Sequence, residues 1–149
     1  MGGKSAKVKG ASGEREVCKL LNGVIAEVRN TLGFDAFAEI DLPFQRNQNQ
    51  SAVGGDDITN PFSLSIEVKR QEQLSINTWW NQCKISSART ENSIPILIFR
   101  QNGKKWRVMM ETYIPLQSNL AFGPLRVEIT IDDFLNWFKN YYIEYLKNK

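Results

Sequence analysis

The feature that most constrains the fold is an alternation that runs from Phe62 to Lys69. Phe62, Leu64, Ile66 and Val68 occupy one parity, and Glu67 and Lys69 the other. Side chains at i and i+2 of a strand share a face, so the apolar set can be buried while the carboxylate and the ammonium lie side by side. The turn residues Thr59-Asn60-Pro61 precede this strand, and Asp57 stands ten residues before Glu67, with Ile58 resuming an extended segment. Asp57 and Glu67 therefore reach one site from adjacent strands. Two such carboxylates suit a hard, oxygen-seeking divalent ion. A lysine beside them can orient a water or offset charge on a phosphate. Asp56 is the alternative ligand, because a doubled Asp also marks a turn. Gly54-Gly55 permits a sharp bend just before it.

Composition removes competing chemistry. The 149 residues fit one domain with a sizeable core, read as 1–149. The chain has no histidine, which excludes Ser-His-Asp and Cys-His catalysis. Two cysteines, Cys18 and Cys83, lie in separate expected helices without a CxxC pattern, too few for zinc. They read as reduced core or boundary residues, as suits the cytoplasm. No apolar run reaches the roughly 18 residues of a membrane span. Residues 1–9 lack the apolar core of an export signal and read as a basic flexible arm. Cytoplasmic localisation is expected, in the host if the chain is phage-encoded. The net charge of +3 is mildly basic and compatible with nucleic acid, since an acidic site would offset a basic surround.

Along the chain, 13–32 reads as a helix with Ser12 as N-cap and Gly33 at its end. Val17, Leu21, Val24 and Val28 form its apolar stripe, and Glu14 lies in phase with it. A carboxylate so placed needs a partner or a metal; the other reading is a helix-start glutamate held by the dipole. Ala36–Leu42 is a strand candidate. The amide-rich run from Phe44 to Ser51 is either a phosphate-contacting surface or a solvated loop. Ile76–Thr90 reads as a helix with Ser75 as N-cap. Its stripe is Ile76, Trp80, Cys83 and Ser87, with Trp79 at the margin. The tryptophan pair reads as core or dimer contact before a base-stacking platform. Gln82 and Arg89 share another edge, which faces the site, a DNA backbone or solvent. Ile94–Phe99 has the pattern of a buried central strand. Asn102-Gly103 is a tight turn leading to a strand over Lys105–Met110. Tyr113–Pro124 reads as irregular because of Pro115, Gly123 and Pro124. A strand over Leu125–Ile131 and an aromatic amphipathic helix over Asp133–Lys147, capped by Asp132, complete the chain. That helix is read as cover for the core ahead of a dimer interface.

Glu14, Asp57, Glu67 and Lys69 together resemble the PD-(D/E)XK nuclease superfamily: a helix glutamate, then Asp, then Glu-X-Lys on the next strand. Within it the chain looks most similar to Holliday junction resolvases of the archaeal type and their phage-encoded relatives. The carrying segments are Lys9-Gly10 with Glu14-Arg15-Glu16, Arg46-Asn47 through Gln50-Ser51, Gly54-Gly55-Asp56-Asp57-Ile58, and Ile66-Glu67-Val68-Lys69-Arg70. Trp79-Trp80-Asn81-Gln82 and Pro95-Ile96-Leu97-Ile98-Phe99-Arg100 extend the likeness. It covers residues 9 to about 110 and leaves 111–149, a strand and aromatic helix, as an extension. Gly-Gly-Asp-Asp stands where the superfamily name implies Pro-Asp.

The resemblance implies an α/β, restriction-endonuclease-like fold: a mixed β-sheet flanked by helices, here with a C-terminal helix. It implies a metal-dependent DNA endonuclease working as a homodimer, with two sites suited to symmetric cutting of a four-way junction. Asp57, Glu67 and the Val68 carbonyl would bind Mg²⁺, for which Mn²⁺ substitutes. Glu14 would complete the site or hold a second ion. Lys69 would position the attacking water, and Gln82 would orient the lysine or a phosphate. Arg46, Asn47 and Ser51 would touch the DNA backbone, with Arg89 as a further contact. Two other readings stand beside this one. One is a general or nicking DNA endonuclease with the same chemistry. The other is a non-catalytic DNA-binding module, although all four signature residues are present.

Overall fold

The computed structural model describes residues 2–33, 42–48 and 56–148, with side chains from Gly10 onward. The first element, α1, spans Gly2–Thr31. Helix therefore begins at Gly2, not after Ser12. Lys4, Ala6, Lys7, Lys9 and Ala11 all favour helix, and Gly3 and Gly10 cost only about 1 kcal/mol each. Ser12 is thus interior, and its hydroxyl accepts from Arg70 at 3.3 Å. Gly13 has a packing role, because a Cβ there would meet the Trp106 ring at 3.3 Å. Beyond the helix Gly33 adopts a φ of 78°, as a terminating glycine does.

A six-stranded mixed sheet follows. Its strands are β1 (Gln45–Arg46), β2 (Ile58–Thr59), β3 (Leu64–Arg70), β4 (Ile94–Arg100), β5 (Arg107–Pro115) and β6 (Ala121–Thr130), adjacent in that order. Among the described residues, only β3 and β4 pair in parallel, with Glu67 beside Leu97 and Lys69 beside Phe99; the other pairs are antiparallel. The parallel pair is joined by α2 (Ile76–Ser87), as a crossover requires. A last helix, α3, spans Ile131–Lys147. Residues 36–41 of the strand candidate fall outside the described residues, and Leu42 is not in a strand.

The alternation in β3 separates two cores. Phe62, Leu64, Ile66 and Val68 join Val17, Leu21, Ile25, Ile96, Ile98, Phe134 and Phe138 beneath α1 and α3. On the other face Leu97, Phe99 and Met109 pack against Trp79, Trp80 and Cys83 of α2. The tryptophan pair is therefore core, and both cysteines are buried free thiols whose pKa burial raises. Glu67 and Lys69 point to the α2 face, as the strand period demands.

The C-terminal third differs from the sequence reading. Tyr113–Pro124 is no irregular connection: β5 runs to Pro115, and β6 restarts at Ala121 after a 3₁₀ turn over Gln117–Asn119. Pro115 closes one strand, and Pro124 lies on an edge strand, both positions where a missing N–H is tolerated. The α3 cap is Thr130, whose hydroxyl accepts from the Asp133 amide at 3.0 Å, not Asp132. Strand β6 passes into α3 without a linker, so the cap is the last strand residue.

Asn22 fixes the entry to β1. Its side-chain amide donates to the Phe44 carbonyl and its oxygen accepts from the Phe44 N–H, both at 3.0 Å and buried. Asn22→Ala would leave both backbone groups unpaired. We expect a loss of roughly 2–4 kcal/mol in urea unfolding, with little change in the m-value.

Candidate active site

The start of β2 and the middle of β3 bring two carboxyl groups together. The Asp57 N–H donates to the Ile66 carbonyl at 3.0 Å, which locks the two strands in register just where β2 begins. The Val68 N–H then donates to Asp57 Oδ2 at 2.8 Å. This turns the Asp57 carboxyl onto Glu67, with which it shares a hydrogen bond. Both residues are buried, at 9% and 8% exposure. The N–H and C=O of a strand residue point to the same side, so the Val68 carbonyl faces the same edge as the Asp57 carboxyl. Lys69 is half-buried one pleat along from Glu67, and its charge favours ionisation of both acids.

Asp56 and Asp57 are separated by their partners. Asp56 Oδ1 accepts from the Ser65 and Ser86 hydroxyls at 2.5 and 2.6 Å, which ties the turn to both β3 and α2. The Asn47 side chain donates to the Asp56 carbonyl at 2.9 Å, and its N–H to the Asp57 carbonyl at the same distance. Asn47 is thus built into the turn, and Asp56 is held as a strut while Asp57 faces Glu67.

Glu14 is buried at 5%, as its phase along α1 requires. Its carboxylate pairs with Arg46 of β1 at 2.8 Å. It stands close enough to raise the Asp57 pKa, but among the described residues no three acid or thiol side chains converge as a metal cluster. Gln82 and Arg89 are exposed on α2 and just beyond it. None of the hydrogen bonds that hold the Asp57–Glu67 pair involves Gln82. Ser51 lies outside the described residues.

The electrostatics follow from this packing. Burial, the Asp57 charge and the shared hydrogen bond push the Glu67 pKa up to about 9, against the pull of Lys69. Asp57 is also raised, chiefly by burial, although the Val68 N–H opposes the shift. The pair therefore holds a proton at neutral pH when no cation is bound. Folded Glu67 keeps its proton to about pH 9, whereas the unfolded chain releases it near 4.5. Folded protein binds more protons across that interval, so stability in chelator should fall as pH rises through it. Thermal melts of Glu67→Gln in EDTA should lose most of that slope.

The donor set fits a divalent cation. Two carboxylates and a carbonyl facing one edge form the sparse set Mg²⁺ accepts, leaving its other positions to water and substrate phosphate. A cation would also relieve the repulsion that now keeps a proton on the pair.

Sequence reading missed Asn22, Ser65 and Ser86. Asn22 could be noticed as an amide beside the apolar stripe of α1, but nothing local names Phe44 as its partner. Ser65 shares the parity of Glu67, which marks its face but not its bond to Asp56.

A family model described as "Phage putative PDDEXK endonuclease" matches residues 5–146. It includes the segment after residue 110 that the recognised motifs leave out. No curated protein matches the chain. Among the described residues, no helix is long and apolar enough to cross a membrane.

Proposed function

Because this chain belongs to the phage PDDEXK endonuclease family, we propose that it hydrolyses phosphodiester bonds in DNA with Mg²⁺ held by Asp57, Glu67 and the Val68 carbonyl. We further propose that its substrate is branched DNA, cut as a four-way junction by two copies of the chain. The observation that carries the chemistry is the buried Asp57–Glu67 pair with Lys69 on the same face. Two buried carboxyls beside each other can ionise together only with added positive charge, which a divalent cation next to Lys69 would supply.

When bound, Mg²⁺ would polarise a phosphoryl oxygen and lower the pKa of water. Asp57 and Glu67 would hold the ion, and the Val68 N–H fixes the rotamer of Asp57. Lys69 orients the attacking water and offsets charge gathering on the phosphate. Glu14 and Arg46 form the neighbouring ion pair. On DNA binding, Arg46 would turn to a backbone phosphate, which releases Glu14 toward the ion. Arg89, Asn47, Ser51 and Gln82 remain proposed contacts to the DNA backbone or to Lys69.

The junction reading is supported by the segments Trp79-Trp80-Asn81-Gln82 and Pro95-Ile96-Leu97-Ile98-Phe99-Arg100, which resemble phage endonucleases described as resolvases, and by the lack of a major-groove reading helix in the sequence. The test is purified protein with Mg²⁺ on matched junction, flap, duplex and single-stranded DNA. Paired nicks confined to the junction are expected. Equal cutting of plain duplex would identify a general endonuclease instead. No cutting of any substrate, with DNA still bound, would identify a binding module.

A further inference from the structure

We propose that the β6 edge and the end of the β5–β6 hairpin form a two-fold interface between two copies of this chain. Strand β6 pairs with β5 on one side and, among the described residues, with nothing on the other. An open edge of ten residues presents unpaired N–H and C=O groups, which proteins normally shield with charge. On β6 that shielding is confined to Arg126, Glu128 and Pro124, and the hairpin end before them has none. From Thr112 to Leu125 there is no charged side chain. Within that stretch five large apolar residues are exposed, from 45% at Ile114 to 64% at Leu120, with Tyr113, Leu116 and Phe122 between. An uncharged apolar surface offers nothing to a phosphodiester backbone, whose binding depends on cations. It suits another apolar surface.

The sequence of β6 makes a second copy the fitting occupant. Antiparallel pairing about a two-fold axis at Val127 sets Val127 opposite the partner's Val127. Leu125 then lies opposite the partner's Ile129, and Arg126 opposite the partner's Glu128. Each contact repeats in reverse, as an isologous interface requires. Leu125, Val127 and Ile129 are half-buried, while Arg126 and Glu128 are exposed on the other parity. One face of the pair is therefore apolar and the other carries two opposite-charge pairs, both favourable across strands. Within each copy Arg126 contacts Asn77 and Glu128 pairs with Arg107, which holds these side chains on the α2 side of the sheet. Pro124 has no N–H and limits the paired stretch to Leu125–Ile129. The uncharged hairpin end of each copy then extends past that stretch, alongside the partner where β6 passes into α3. One sheet would so carry two Asp57–Glu67 sites. Only that purpose rests on the proposed function; the surface is read from the hairpin itself.

The experiment is light scattering on the full chain without DNA. Wild type is expected at about twice the chain mass. Arg126→Glu sets an acid opposite the partner's Glu128, and Glu128→Arg sets a base opposite the partner's Arg126. Each variant alone should run as a monomer. Their equimolar mixture pairs opposite charges at both positions and should recover the dimer. A second test avoids the charged residues: Leu120→Ser with Phe122→Ser, both exposed, should weaken the dimer about tenfold. A monomeric wild type would overturn the proposal. So would single charge variants that stay dimeric, a mixture that stays monomeric although both components melt cooperatively, or an unchanged dimer in the serine variant. Because no DNA is present, an intact dimer that cuts nothing would sink the nuclease reading and leave the interface standing.

Discussion

Asp57→Asn should abolish cleavage without loosening the fold. With Mg²⁺ on the preferred DNA, the rate is expected to fall by roughly 10³-fold or more, about 4 kcal/mol of transition-state stabilisation. Binding should persist in Ca²⁺, which occupies oxygen sites without supporting the chemistry. The amide still accepts from the Val68 N–H, so the rotamer and the β2–β3 register survive. It also removes one of two buried acids that repel each other. In EDTA the variant should therefore melt no lower than wild type, whereas Mg²⁺ should no longer raise its Tm. Glu67→Gln should behave alike, and Lys69→Ala should lose cleavage while Mg²⁺ still stabilises. Wild-type cleavage by Asp57→Asn would discard the site. A large drop in its Tm in EDTA would mean that the pair is structural.

Phe138→Ala should cost about 3–5 kcal/mol, or roughly 6–20 °C in Tm. Phe138 is fully buried. Its ring meets Phe44 at 5.2 Å and Phe62 at 5.7 Å, edge-on in both contacts. It therefore joins α3 to the segment entering β1 and to the turn entering β3. Truncation leaves a cavity at the meeting of three elements that cannot all relax inward. A loss below about 1 kcal/mol would show α3 to be a loosely held appendage. The aromatic helix is core cover on this geometry: Phe134, Phe138 and Tyr142 are buried, and the Tyr141 hydroxyl donates to the Phe62 carbonyl at 2.9 Å.

Much of the fold was legible because its causes are local. The parity of Phe62, Leu64, Ile66 and Val68 against Glu67 and Lys69 fixes which face of β3 is buried, whatever the neighbours are. The stripe on α1 places Glu14 inward by the same reasoning, and the run from Ile94 identifies a central strand. Errors arose where a local rule has exceptions that only position can reveal. Pro115, Gly123 and Pro124 look like breakers, yet they occupy a strand end and a sheet edge where a missing donor costs little. Ser12 looks like a cap, but the lysines and alanines before it carry the helix back to Gly2 despite Gly3 and Gly10.

The sequence by itself determined the strand that carries Glu67 and Lys69, the inward phase of Glu14, the absence of histidine chemistry and the family motif. Only the tertiary structure decided that Glu14 faces Arg46, that Asp56 is held by Ser65 and Ser86, that Asn22 closes on Phe44, and that an uncharged hairpin end stays exposed. The division has a physical cause. Periodicity is set by backbone geometry within a few residues, whereas these partners are brought together by burial of the whole core, and a hydrogen bond between distant residues leaves no pattern in either segment alone.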